Sequence, residues 1–319
     1  MKRKMTETYK PEGYIIDTPE NKEHSSSLAA LEYAMSAGLI LEGRATLCDG
    51  EHNLIVQLGS YKGVIPRQET AYSTDGSRIR DIAVITRVGK PVCFKVTHID
   101  KSSETPRLVL SRRAAQLECY EKYVSKLVPG DIIEAKITHI EPFGCFCDIG
   151  CGIISLLPVD CISVSRITNP KDRFSCGDRI KCAVKLNDLQ TGRISLTHKE
   201  LLGTWEENAA FFNAGETAAG IIRSIEPYGI FVELTPNLAG LAEWCEGACV
   251  GHSAAVYIKS IIPEKMKIKL VIVDTDSPSA QSERKTVYFT DSDHIDKWLY
   301  SPECCDREIV TVFSKHEVE

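Results

Sequence analysis

A chain of 319 residues and 35.4 kDa is long enough for two or three domains, each with an apolar core of its own. Hydrophobic residues at 43% and charged residues at 26% exclude the collagenous, disordered and membrane-embedded classes, and a net charge of −6 excludes a protein that coats nucleic acid by charge alone. No run of about 18 apolar residues occurs, and the basic start Met1-Lys2-Arg3-Lys4 leads into polar residues where a signal peptide needs an apolar stretch, so a cytoplasmic protein with no membrane partner is expected.

Residues 1–35 divide into a polar stretch to about Glu23, expected to be flexible, and a short helix that Ser27 caps and that presents Leu28, Leu31 and Met35. From 36 to 115 the alternating segments Glu42–Leu47, Asn53–Leu58, Gly63–Pro66, Lys90–Ile99 and Arg107–Ser111 predict five strands. A helical connector occupies 116–129: Leu117, Tyr120, Val124 and Leu127 recur at helical spacing until Pro129-Gly130. Residues 130–198 repeat the strand order, with Ile133–Ile137 and Arg193–Thr197 as clear alternating stretches. In the next connector, 199–213, Thr204 and Glu207 have capping-box spacing. A third strand-rich unit covers 214–274, and 275–319 forms a small α+β extension with a strand at Val287-Tyr288-Phe289 and a short helix holding Trp298.

The second and third units are copies. Ile137–Gly150 and Ile222–Thr235 share six identities in fourteen positions at an offset of 85, a period that suits a small complete domain and its connector. The sequence therefore predicts a mainly β chain of three tandem five-stranded barrels joined by short helical connectors.

Each of these copies places two aromatics three residues apart around a glycine, Phe143-Gly144-Cys145-Phe146 and Tyr228-Gly229-Ile230-Phe231. On a regular strand such residues point to opposite faces, but a glycine-permitted bulge brings both to one side, where they form a platform for flat ligands. Spacing leaves open whether one ring of each pair closes the core instead. The cysteines number 13, odd and scattered without two-residue gaps, so neither a disulfide framework nor a zinc site is indicated, and no metal or other cofactor is expected. Cys145 and Cys147 fall on one strand face with Ile149 and are expected to be small buried hydrophobes.

The second unit resembles the RNA-binding domain named after ribosomal protein S-one. The resemblance rests on Gly130-Asp131, Phe143-Gly144-Cys145-Phe146, the Asn169-Pro170 loop, Gly177-Asp178 and Gly192-Arg193-Ile194-Ser195-Leu196. The third unit is similar through Tyr228-Gly229-Ile230-Phe231, Gly240-Leu241 and Lys267–Leu270, and the first is a divergent member. The resemblance implies the five-stranded oligonucleotide-binding (OB) barrel and single-stranded RNA as ligand. It puts the RNA surface of the second unit on Phe143, Phe146, Asp188 and Arg193, and that of the third on Tyr228, Phe231 and Lys267. The family's histidine after the third strand is Pro158 in one and Glu243 in the other, and its acidic residue is Ile262 in the third unit. No aromatic pair follows the first strand of the first unit.

Charge differs among the units: +4 over 36–115, zero over 130–198 and −2 over 214–274. Arg78, Arg80, Arg87, Lys90, Arg107, Arg112 and Arg113 give the first unit a candidate docking patch without rings. No phosphate-binding glycine loop, zinc-protease helix or nucleophile elbow is present. The implied function is non-catalytic: a short bacterial protein of the S-one family that holds messenger RNA near the small ribosomal subunit, the first barrel docking it there. The alternative is an RNA-decay or RNA-processing accessory that works with a separate nuclease.

Overall fold

The computed structural model describes residues 9–73, 79–102, 106–276 and 286–313. The chain forms three closed barrels of five strands each. The first comprises β1 (Leu41–Cys48), β2 (Leu54–Leu58), β3 (Tyr61–Ile65), β4 (Pro91–Asp100) and β5 (Arg107–Ser111). The second comprises β6 (Ile132–Glu141), β7 (Gly144–Asp148), β8 (Ile154–Pro158), β9 (Arg179–Asp188) and β10 (Arg193–Thr197). The third comprises β11 (Thr217–Glu226), β12 (Gly229–Thr235), β13 (Leu238–Ala242), β14 (Ser253–Ile262) and β15 (Lys267–Asp276). In each, three strands run as an antiparallel meander, the fifth pairs in parallel with the third, and the fourth closes the ring onto the first, as in an OB barrel. The predicted strands of the first unit match β1 to β5 within about two residues at either end.

Alternation builds each core. In β7, Cys145 and Cys147 point inward with Ile149 just beyond, and all three are fully buried, while Phe146 between them points out. Equivalent inward rows are Leu54, Val56 and Leu58 in the first barrel and Ile230, Val232 and Leu234 in the third. Gly63 and Gly240 occupy matching places on the third strands. A Cβ there would stand 2.4 Å from Leu110 and 2.5 Å from Leu270, so glycine lets a leucine of the fifth strand fill the core.

The connectors are helical. Ser111 caps α4 (Arg112–Lys122) by accepting a bond from Ala114 N, and a 3-10 turn at Val124–Lys126 ends the run. Thr204 and Glu207 form the capping box of α5 (Trp205–Ala209), each side chain accepting from the other's backbone N–H. At the amino end, Thr18 caps α1 (Pro19–His24) and Ser27 caps α2 (Leu28–Ala37), which buries Leu31 and Ala34 on the first barrel. A further short helix, α3 (Asp81–Ile85), lies in the long β3–β4 connection.

The polar amino-terminal stretch is not flexible from Tyr9 onward. It lies as a strap between the first two barrels, held by buried charge and backbone hydrogen bonds together with Pro11, which is buried, and Tyr9, which packs on the second barrel's core; partners so distant are why composition pointed the other way. The Glu12 carboxylate is buried and takes Arg112 through two bonds of 2.6 and 3.0 Å, Arg87 at 3.3 Å and the backbone N–H of Cys93 at 3.1 Å. Its own backbone N–H donates to Asp148 of the second barrel at 2.8 Å, and Lys136 donates to its carbonyl. Burial alone would raise the Glu12 carboxyl, but the two guanidiniums outweigh it and hold it below the usual range. Glu42, on β1, accepts the backbone N–H groups of Gly13, Ile15 and Ile16.

The second and third barrels meet through the same kind of contact. Glu233 is buried and held by Arg173 of the second barrel and Arg223 of its own, which together keep its carboxyl low despite burial. Asn237 accepts from Val164 N and donates to the carbonyls of Lys199 and Gly203, and Ser165 N donates to Pro236 O.

The carboxy-terminal extension clasps this junction, and here two expectations fail. Residues 287–289 form no strand: Phe289 makes one backbone bond, to Leu201 O, and the hydroxyl of Tyr288 accepts from Lys181 N. Trp298 is in a strand, not a helix. β16 (Lys297–Leu299) pairs with β17 (Val310–Val312), and Trp298 and Tyr300, two apart as a strand requires, are both buried in the third barrel's core. His294 bonds Asp131 at 2.8 Å, Ile132 N donates to Asp293 O and Ile295 N donates to Gly130 O, tying the extension to the start of β6. Residues 1–8, Arg78 and most of the Ser-rich break expected at 275–282 lie outside the described residues.

Removing the Glu12 charge leaves Arg112 buried and unpaired, so Glu12→Gln is expected to destabilise the fold by about 3 kcal/mol or more, read as a lowered urea midpoint. A pH effect is expected at Glu42, whose carboxyl burial pushes up from 4.5 to about 7 against the pull of its three N–H donors. The folded chain then holds a proton that the unfolded chain releases, so this group's stabilisation is complete below pH 4.5 and is lost as pH rises through 7. Urea midpoints at pH 5 and pH 8 should differ less in Glu42→Gln than in the wild type.

Candidate nucleic-acid interface

The first two strands of the second barrel join through a two-residue turn, Pro142-Phe143, with Glu141 paired to Gly144. A Cβ on Gly144 would stand 2.5 Å from the Leu157 carbonyl oxygen on β8, so glycine alone lets the turn press against the third strand. Gly229 makes the same approach to the Ala242 carbonyl, at 2.6 Å. The turns hold Phe143 and Tyr228 out to solvent, 55% and 70% exposed. Phe146 and Phe231 point outward from the following strand, half-buried.

Within each pair the rings meet edge to face, with centroids 6.0 Å apart at 90° for Phe143 and Phe146 and 6.1 Å apart at 87° for Tyr228 and Phe231. Both rings of each pair therefore stand outside the barrel, and neither closes the core. The expected cause is corrected: no bulge lies between the two rings of either pair, and β12 loses register only beyond them, between Glu233 and Thr235. The register break lies in the partner strand, between Ile137 and His139 and between Ile222 and Ser224, and the turn carries the first ring.

Register continues this face around the barrel. Phe146 pairs with Leu156, Leu156 with Ser195, and Ser195 with Leu186, all of them partly or fully exposed. Arg193 lies two residues before Ser195 on β10, exposed and paired in register with Asp188. Because β8 and β10 run parallel, Arg193 is on the side of this row away from the Phe143 turn. The rings and the Asp188/Arg193 pair thus occupy opposite ends of one outer face.

Asp188 itself is committed to its turn. It accepts from Gln190 N at 2.9 Å, Thr191 N at 3.2 Å and the Thr191 hydroxyl at 2.6 Å, and the hydroxyl bond is the main reason its carboxyl lies below the usual range. These bonds fix the hairpin that carries Arg193.

The third barrel repeats the row as Ser224, Phe231, Leu241, Lys269 and Ser260, with Lys267 exposed and paired in register with Ile262. Lys269 was missed by sequence reasoning, although its alternation with Lys267 puts both on one face. In the first barrel the row is aliphatic, Leu47, Ile55, Val64 and Val109, ending on His98. Yet Asp100 and Arg107 pair there as Asp188 and Arg193 do. That equivalence was hidden by the connection between the two strands, which is two residues longer here, 101–106 against 189–192.

The candidate docking patch of the first barrel shrinks in the structure. Arg112 and Arg87 turn inward onto Glu12, and Arg113 lies 3.6 Å from Glu69. Arg80, Lys90 and Arg107 remain on the surface. A charge run in sequence cannot show that its carboxylate partner lies 100 residues earlier.

Residues 126–199 match the family model described as the S1 RNA binding domain. Over 240 residues the chain is 30% identical to a small ribosomal subunit protein bS1 of Staphylococcus aureus (strain COL), covering 73% of this chain and 58% of that one. Over 198 residues it is 31% identical to the protein of the same name from Leuconostoc lactis, covering 59% and 43%. Among solved structures, a multidomain protein with nucleic acid binding domains from Streptococcus pneumoniae TIGR4 aligns at 14% identity and a TM-score of 0.25, covering 74% of this chain and 73% of that one. The chain spans about half the length of the curated relatives it matches. It is a relative of the small-subunit ribosomal proteins bS1, similar to them through S1-type barrels.

Proposed function

We propose that the chain binds single-stranded RNA on the outer faces of its second and third barrels and, like the relatives it matches, works with the small ribosomal subunit in the cytoplasm, holding messenger RNA. The observation that carries this reading is the duplicated pair of exposed, edge-to-face rings. Such rings are costly to leave in water, and unstacked bases cover them for about 1 to 3 kcal/mol each. Phe143 and Phe146 are the main platform, with Arg193, set by Asp188, offered to the backbone at the far end of the face. Tyr228, Phe231 and Lys267 make the weaker copy, on a unit of net charge −2. The first barrel, with exposed Arg80, Lys90 and Arg107 and no rings, is the docking module. Nothing in this role calls for catalysis or a cofactor.

Titrating a labelled single-stranded RNA against the full chain tests the platform. Phe143→Ala/Phe146→Ala is expected to lose about 2 kcal/mol or more of binding, and Tyr228→Ala/Phe231→Ala less. Unchanged affinity in the first double variant overturns the reading. For the partner, the wild type is expected to pellet with small subunits, and Arg80→Glu/Lys90→Glu/Arg107→Glu to stay in the supernatant. Co-purification with a nuclease in place of pelleting would favour an RNA-decay accessory.

A further inference from the structure

The second barrel holds a third ring that the third barrel lacks. β6 and β7 lose register between Ile137 and His139, so that Thr138 and His139 both face outward while Ile137 and Ile140 are buried. Without the extra residue, alternation would send His139 into the core. The break instead sets its imidazole directly across from Phe146. The two rings lie 6.2 Å apart and 26° from parallel. Phe146 thus meets two rings, His139 near-parallel at 6.2 Å and Phe143 edge-on at 6.0 Å.

The imidazole is also held in place. Its Nε2 lies 2.7 Å from the Glu141 carboxylate, two residues on along the same strand, while its side chain is 62% exposed. A ring fixed at one edge and open on its face is preorganised for stacking, because little side-chain freedom remains to be lost on binding. The corresponding register positions are Ser224 in the third barrel and Leu47 in the first, neither of them aromatic.

We propose that His139 is an RNA-stacking residue, which extends the platform of the second barrel by one base on the β6 side, away from Arg193. The inference rests on the RNA-binding reading of Phe143 and Phe146 and adds a length to it. Three rings on one barrel, against two on the other, make the second barrel the longer grip, with His139 and Phe146 side by side across β6 and β7. They also run the strand of RNA across the sheet from β6 toward β10.

The test uses the full chain, a fluorescein-labelled oligouridylate and anisotropy, with three variants. His139→Ala is expected to weaken binding about fivefold or more, the value of one stacked base, while His139→Phe stays within about threefold of the wild type because a ring is kept. The salt dependence of binding is expected to keep its slope in His139→Ala, since stacking releases no counterions. In the wild type, which needs no variant to fold, the imidazole proton signals of His139 are expected to shift on adding RNA. Unchanged affinity in His139→Ala, equal losses in the Ala and Phe variants, or still imidazole signals would each overturn the assignment. Phe143→Ala/Phe146→Ala separates the levels. If that variant binds as the wild type does, the RNA reading itself has failed; if it binds weakly and His139→Ala does not, only the third ring is lost.

Discussion

The arrangement of the three barrels depends on burying a carboxylate where one barrel meets the next. Asp148 and Glu233 occupy the same place in the repeat, 85 residues apart, at the end of the second strand of their barrels. Each is almost wholly buried at a junction, Asp148 taking backbone N–H groups of Glu12, Gly150 and Gly152, Glu233 taking two arginines. A buried charge is costly unless its bonds are complete, and here the donors come partly from the preceding unit or from the strap beside it. Moving the units apart would strip those donors away. The junctions are thus specified by hydrogen bonding as much as by apolar contact, and the faces that carry the rings are held in fixed relation to one another.

The same repeat explains how one scaffold gives three different surfaces. The inward positions are set by closure: a small residue on the third strand, a leucine from the fifth, alternating aliphatics elsewhere. The outward row is free to vary, and it does. It carries two rings, His139 and Phe146, in the second barrel, one ring and one lysine, Phe231 and Lys269, in the third, and aliphatics with a single histidine in the first. The three surfaces differ on five register-matched positions while the inward pattern beneath them is shared.

Much of this was legible in the sequence. Strands, barrels, connectors and the aromatic pairs follow from alternation, glycine placement and the offset of 85, all of which are local or periodic signals. What escaped was non-local. Glu12 looked like part of a solvated tail because its partners Arg112 and Asp148 lie 100 and 136 residues away. Trp298 looked helical because a three-residue strand carries too little alternation to be recognised. His139 went unnoticed because a register break flips a side chain without leaving a mark of its own in the residue order. The arginines of the first unit were counted as surface for the same reason that Glu12 was: spacing along the chain does not show who stands opposite.

The strap also sets a timetable. Asp148 leaves the ribosome 136 residues after Glu12. At roughly 5 to 20 residues per second that is a delay of about 7 to 27 s. In the last part of that interval, once Ser111 is out, the first barrel has all its own strands and can close, while the segment before it has only part of its binding site. The closing clasp on β6 comes later still, because His294 follows Asp131 by 163 residues. The middle barrel is therefore made whole in three stages, and it is fully clasped only when the segment around His294 has reached it.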